Sequence, residues 1–214
     1  MRKNILGIDI GYSNLKLAFG PTGANPTTVL RPAGAAPADR FGARFDGREH
    51  DDFLRVLVDG EAYVAGVSAD RAELWSRSLH ADYHASSSYQ ALFRAGLLLS
   101  GMQHIDTLVT GLPVSQYLDD ARKDAVERLM RGVIAITNDR HVTIDEVRVI
   151  PQPIGGLLDH ISRDGSDLED ARILLIDPGF FSVDWVTASP QTPPRTPSGT
   201  SQHASSVVLE EACK

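Results

Sequence analysis

Apolar and polar residues alternate from the start of the chain. NILGIDI (4–10) reads as a buried strand. In NLKLAF (14–19), Leu15, Leu17 and Phe19 share one face and Asn14, Lys16 and Ala18 the other, the period of two expected of a strand. The link from Gly11 to Asn14 is short enough for a hairpin turn. Residues 20–50 are rich in Gly, Pro and Ala and suggest loops with short extended pieces. FLRVLVDGEAYVAG (53–66) predicts a second hairpin turning at Asp59-Gly60. SSYQALFRAGLLLS (87–100) predicts a buried helix stopped by Gly101, and DTLVTGLP (106–113) a buried strand. Residues 115–132 carry Tyr117, Leu118, Ala121, Ala125 and Leu129 at helical spacing, closed by Gly132. A strand over 142–150 leads through the corner IPQPIGG (150–156) into a short helix, and 162–171 is a polar connector. RILLIDPGFFSVDWVTA (172–188) predicts strand, turn and strand, 189–201 a Pro/Ser/Thr-rich loop, and 205–214 the start of a helix. Strands alternating with helices make the class α/β.

Composition narrows the functions. The 214 residues are 42% hydrophobic and 23% charged, ordinary for a globular protein with a packed core. A formal net charge of -7 argues against a globally basic nucleic-acid surface. The single cysteine, Cys213, forms no disulfide framework within the chain, which fits a reducing cytoplasm. No long apolar run suggests a membrane span, and the N-terminus lacks a signal-peptide core.

One internal echo carries chemistry. GIDIGYSNLKLAF and LIDPGFFSVDWVT share an apolar strand, Asp-x-Gly, a short turn and a polar residue on the return strand. Asp9-Ile10-Gly11 matches Asp177-Pro178-Gly179. Ser13 or Asn14 matches Ser182, and Lys16 matches Asp184. A corner glycine lets the backbone approach a ligand and adopt positive φ. Successive turn N–H groups then form an anion nest, to which a hydroxyl adds a donor. A carboxylate beside a phosphate makes sense when magnesium lies between them, held partly through water, while Lys16 neutralises a phosphate oxygen. Two such hairpins facing each other would clamp a magnesium nucleoside triphosphate. An isolated Asp-x-Gly is usually only a turn; the second copy is what makes the pair informative. No GxxxxGK run offers a P-loop instead.

The two hairpins resemble the phosphate motifs of the actin, Hsp70 and sugar-kinase superfamily. Within it, VDGEAYVAG (58–66), VTGLPVSQY (109–117), VIPQPIGG (149–156) and SGTSQHASSVVLEEA (198–212) are most similar to the bacterial plasmid-segregation actins, the ParM/StbA group, and to the D protein of the PRTRC plasmid system. The resemblance implies an actin-like, ribonuclease H-like fold: a mixed sheet with flanking helices. It implies a first domain over 1–160 and the start of an incomplete second domain over 161–214, because the family's adenosine-binding turn and return helix would lie beyond residue 214. It also implies ATP and Mg2+ as cofactors. The backbone approaches at Gly11, Tyr12 lies in the first turn, and Ser13, Asn14 and Lys16 contact the β-phosphate. Gly179, Phe180, Phe181 and Ser182 hold the β- and γ-phosphates. Asp9 and Asp177 lie by the metal, Asp177 also by the attacking water, and Gln152 orients that water for in-line attack. Phe180 and Phe181 depart from the small residues usual in such turns. Asp184 is left between a site role and a structural one.

Three functions follow. The first is a filament-forming ATPase that partitions plasmid DNA, by self-association and through an adaptor rather than by direct nucleic-acid contact. The second is a small-molecule kinase, although VTGLP (109–113) offers no acid as general base. The third is an inactive remnant acting as an interaction module. His80 and His84 have metal-compatible spacing but no third ligand, and HDD (50–52) and LDD (118–120) read as solvated acids.

Overall fold

The computed structural model describes residues 2–41, 53–68, 83–164, 171–188 and 198–205, with 207 and 211. The expectations for His80, Cys213, 50–52, most of 162–171 and all of 189–197 lie outside these residues. The chain divides into two compact units: 1–109 with 129–148, and 110–128 with 149–214. This division interleaves the chain.

The first unit is built on a sheet ordered β3-β2-β1-β7-β9-β8. Its strands are β1 (Asn4–Ile10), β2 (Asn14–Pro21), β3 (Thr27–Pro32), β7 (His104–Leu112), β8 (Gly132–Ala135) and β9 (His141–Pro151); β7 and β9 carry the chain on into the second unit. Alternation does what it predicts at the opening hairpin. Leu6, Ile8, Ile10, Leu15 and Leu17 are buried, while Asp9 and Lys16 take the opposite face. A smaller sheet, ordered β4-β6-β5, comprises β4 (Gly34–Pro37), β5 (Leu54–Val58) and β6 (Glu61–Val67). Its hairpin turns at Asp59 and Gly60, both at positive φ, as predicted.

Helix α1 (Ser87–Ser100) packs against strands of both sheets. Ser86 caps it by accepting from the Tyr89 N–H, and Gly101 ends it in the left-handed conformation. Gly96 lets α1 sit directly on the hairpin: a Cβ there would lie 2.7 Å from Ile8 Cδ1 and 3.1 Å from Leu17 Cδ2.

The expected helix over 115–132 is instead two helices, α2 (Val114–Tyr117) and α3 (Asp120–Met130). Asp119 breaks the run, because its Oδ1 accepts from the N–H groups of Ala121 and Arg122 and starts α3. The break rotates the stripe. Val126 and Met130 are buried, whereas Leu118 and Ala121 are exposed. Strands β3, β4 and β8 fall in stretches without strand alternation, and all three are short.

The second unit contains α4 (Gln152–Asp164) and a sheet ordered β10-β11-β12: β10 (Ile173–Pro178), β11 (Val183–Ala188) and β12 (Gly199–Ser201). Helix α4 is longer than the short helix expected and packs on β10 and β11. The apolar run of β10 is not buried on both sides: Leu174 and Ile176 are 60% and 62% exposed. Among the described residues no helix is long and apolar enough to cross a membrane.

Candidate phosphate-binding hairpins

The two echoing segments are built alike. In the first, β1 and β2 pair with Asp9 opposite Lys16, and the Gly11 N–H donates to the Asn14 carbonyl at 3.0 Å. In the second, β10 and β11 pair with Asp177 opposite Asp184, and the Gly179 N–H donates to the Ser182 carbonyl at 2.8 Å. This register settles the match that spacing left open: Ser182 corresponds to Asn14, not Ser13. One physical expectation is corrected. Neither Gly11 nor Gly179 lies at positive φ. Crowding favours glycine instead, strongly at Gly179, where a Cβ would lie 2.8 Å from the Ser182 oxygen, and mildly at Gly11, where it would lie 3.3 Å from the Asn14 oxygen.

In the first hairpin the Lys16 ammonium donates to Asp9 Oδ2 at 3.0 Å. Both side chains are substantially exposed, so the pair adds little stability and leaves each group accessible to a stronger partner. A hard, partly exposed oxygen is the ligand type that magnesium takes through water, so Asp9 fits that cation. The Ala33 N–H donates to the Ser13 carbonyl at 3.0 Å and fastens the turn to the link between β3 and β4. The Tyr12 ring stacks on Tyr83, with centroids 4.6 Å apart and planes at 23°. Burial pushes the Tyr12 phenol up to about 12. Burial raises Tyr83 as well, and Tyr12 adds to the shift.

In the second hairpin Asp177 is exposed at the strand end, whereas Asp184 is 2% exposed. Asp184 Oδ1 accepts from the Val114 N–H at 2.8 Å and from the Thr200 hydroxyl; Oδ2 accepts from the Ser182 hydroxyl at 2.8 Å. The Ser115 N–H donates to Thr200 Oγ1 at 3.0 Å. Helix α2 begins after Pro113, which has no side chain able to cap it; Asp184 and Thr200 satisfy its first donors instead. Asp184 is therefore structural. The Ser182 hydroxyl, donating to Asp184, is engaged, and so is the Gly179 N–H. The Ser205 hydroxyl donates to the Gly179 carbonyl at 3.2 Å.

Gln152 opens α4. It packs so closely on Gly111 that a Cβ at Gly111 would lie 2.7 Å from Gln152 Cγ. Thr110, one residue earlier, is 2% exposed, and its hydroxyl has no hydrogen-bond partner; a buried donor of this kind is one that ordered water satisfies.

Among the described residues, one His/Asp group could hold a metal ion: His104, Asp106 and Asp145, with ligand atoms within 4.8 Å of one another. They already have partners, His104 Nε2 pairing with Asp145 at 2.9 Å and Asp106 accepting from the Asn4 N–H at 2.7 Å. They lie by the Asn4 end of β1, roughly 20 Å along the strand from the Gly11 turn.

Sequence reasoning missed Tyr83 and Thr200. Tyr83 lies in no quoted motif, Thr200 lies in SGTSQHASSVVLEEA (198–212) but with no role assigned there, and each meets its hairpin only through the fold.

Residues 7–155 match the family described as actin-like proteins, N-terminal domain. No curated protein matches. Among solved structures, the archaeal actin homologue Ta0583 superposes with a TM-score of 0.71 at 19% identity, covering 97% of this chain and 64% of that one. The apo pSK41 ParM protein superposes at 0.66 with 15% identity, covering 99% of this chain and 71% of that one. A ParM from Clostridium botulinum, solved as a 15-stranded filament, also gives 0.66, at 18% identity and with coverage of 100% and 70%. The archaeal homologue has further been solved in complex with ADP. The chain thus spans 64% of the length of that archaeal homologue, and the likeness to it and to the ParM proteins is one of fold.

Proposed function

This chain belongs to the actin-like proteins, and from that membership we propose that it binds Mg-ATP at its two Asp-x-Gly hairpins, assembles into filaments and takes part in plasmid partitioning in the cytoplasm. One observation carries the reading: the hairpins repeat not only a motif but a register, with the same glycine N–H closing each turn. A glycine-closed turn at a strand end is a construction in which backbone N–H groups can be presented to anionic oxygen.

In this reading Gly11, Tyr12, Ser13 and Asn14 present the first turn to phosphate, and Gly179, Phe180, Phe181 and Ser182 present the second through their backbone. Magnesium, when bound, neutralises phosphate charge, and Asp9 and Asp177 would hold it. Asp9, paired with Lys16 in this structure, would serve the cation, and Lys16 would then be available to a phosphate oxygen. Gln152 cannot titrate, so its part is to orient water rather than to remove its proton. Asp177, exposed at its strand end, is the group able to accept that proton. Self-association would be head-to-tail and non-closing, as filaments require. A separate adaptor would make the DNA contact, in keeping with the net charge of -7.

The test combines ATP turnover with light scattering. Magnesium-dependent hydrolysis that rises together with scattering supports the proposal. Hydrolysis stimulated only by a sugar or vitamin, without scattering, would sink the filament reading in favour of a small-molecule kinase. Absence of nucleotide binding at any magnesium concentration would leave an interaction module.

A further inference from the structure

We propose that Tyr83 is a positioning residue for the first phosphate turn, holding Tyr12, and through it residues 11–14, in the conformation that accepts phosphate. The inference rests on the reading of that turn as a phosphate site, and it adds a residue that no motif contains.

The geometry runs as a ladder of three rings. Tyr12 lies in the turn and stacks on Tyr83. Tyr83 meets Tyr89 edge-on, with centroids 5.4 Å apart and planes at 84°. Tyr89 is 4% exposed in the first turn of α1. Each contact has a geometry aromatic pairs favour.

The lower end of the ladder is fixed. The Ser86 N–H and the Ser86 hydroxyl both donate to the Tyr83 carbonyl, at 2.9 and 2.7 Å. The same hydroxyl oxygen accepts from the Tyr89 N–H at 3.2 Å. Ser86 thus joins the 3-10 turn Tyr83–Ala85 to the start of α1. Helix α1 is in turn seated on Ile8 and Leu17, in the two strands that the phosphate turn connects. A rigid helix therefore reaches the turn by two routes, the strands beneath it and the stacked rings beside it. The raised phenol of Tyr12 agrees with mutual desolvation of the rings.

The consequence is a population effect. A ligand that binds one conformation of a turn has its apparent affinity reduced by the fraction of time the turn spends elsewhere. The Tyr83 ring raises the share of the binding conformation without touching the ligand. Losing it weakens binding while leaving the chemical step intact, so KM rises and kcat holds.

The experiment uses the whole chain. Mg-ATP binding is measured by calorimetry for wild type, Tyr83→Leu, Tyr83→Phe, Tyr12→Leu and the double leucine variant. Amide exchange at residues 11–14 is followed without nucleotide. Tyr83→Leu should weaken Mg-ATP by about 3- to 10-fold and speed exchange at 11–14, with exchange in α1 unchanged. Tyr83→Phe keeps the ring and should behave as wild type. The double variant should be no worse than the poorer single one, because both substitutions break the same contact. Wild-type affinity and exchange in Tyr83→Leu would overturn the proposal, as would full additivity in the double variant. Should wild type itself fail to bind Mg-ATP, the phosphate-site reading falls. The exchange data then decide the ladder alone: acceleration confined to 11–14 upholds it, and unchanged exchange overturns it.

Discussion

At Gly179 a single added methyl group would stand 2.8 Å from a backbone oxygen, and at Gly11 3.3 Å. Real Cβ atoms tolerate the second distance with small shifts but not the first. Gly179→Ala should therefore cost about 1–3 kcal/mol and Gly11→Ala clearly less, read as urea midpoints of the two variants. Asp184 offers a second test. Its removal in Asp184→Ala strands the Val114 N–H and two hydroxyls, with an expected loss of about 2–4 kcal/mol. Asp184→Asn keeps an acceptor for Val114 and should lose less in the same unfolding measurement. Asp9, Gly11, Asp177 and Gly179 were legible in the sequence because the motif occurs twice. The role of Asp184 was not, because its partner Val114 lies 70 residues away and no spacing rule links them.

Elements were most legible where start and stop signals agreed with the apolar period. Helix α1 has both, Ser86 before it and Gly101 after it. The run from 115 to 132 has a plausible period but an aspartate inside it, and Asp119 caps a new helix there. Asp119→Ala should destabilise by about 1 kcal/mol, with Asp119→Asn near wild type, by urea unfolding. The Tyr12–Tyr83 stack predicts alkaline behaviour. Tyr12 rises from the ordinary 10.0 to about 12 in the folded chain, so folding favours its protonated form. That stabilisation is complete below pH 10 and is lost as pH climbs towards 12. Tyrosinate absorbance against pH should show a late-ionising phase, and it should ionise earlier in Tyr83→Leu, where the covering ring is gone.

For the molecule as a whole, the proposed function divides between holding nucleotide and turning it over. If Gln152 orients the attacking water as proposed, Gln152→Ala should lower ATP turnover about 100-fold while Mg-ATP still binds, because an orienting group rather than a ligand would be lost. Asp9→Asn should instead raise the magnesium needed for binding about 10-fold or more, seen in calorimetry at varied magnesium. Retained turnover in Gln152→Ala would overturn its assignment. The sequence by itself determined the α/β class, the opening hairpin, the Asp59-Gly60 hairpin, α1 and the repeated Asp-x-Gly corners, because each follows from periodicity, a turn residue or a cap acting within a few residues. Only the tertiary structure decided that the corner glycines answer crowding rather than positive φ, that Asp184 and Thr200 cap α2, that Leu174 and Ile176 lie open, and that Tyr83 meets Tyr12. Those outcomes depend on groups brought together from distant parts of the chain, and no local pattern encodes that distance.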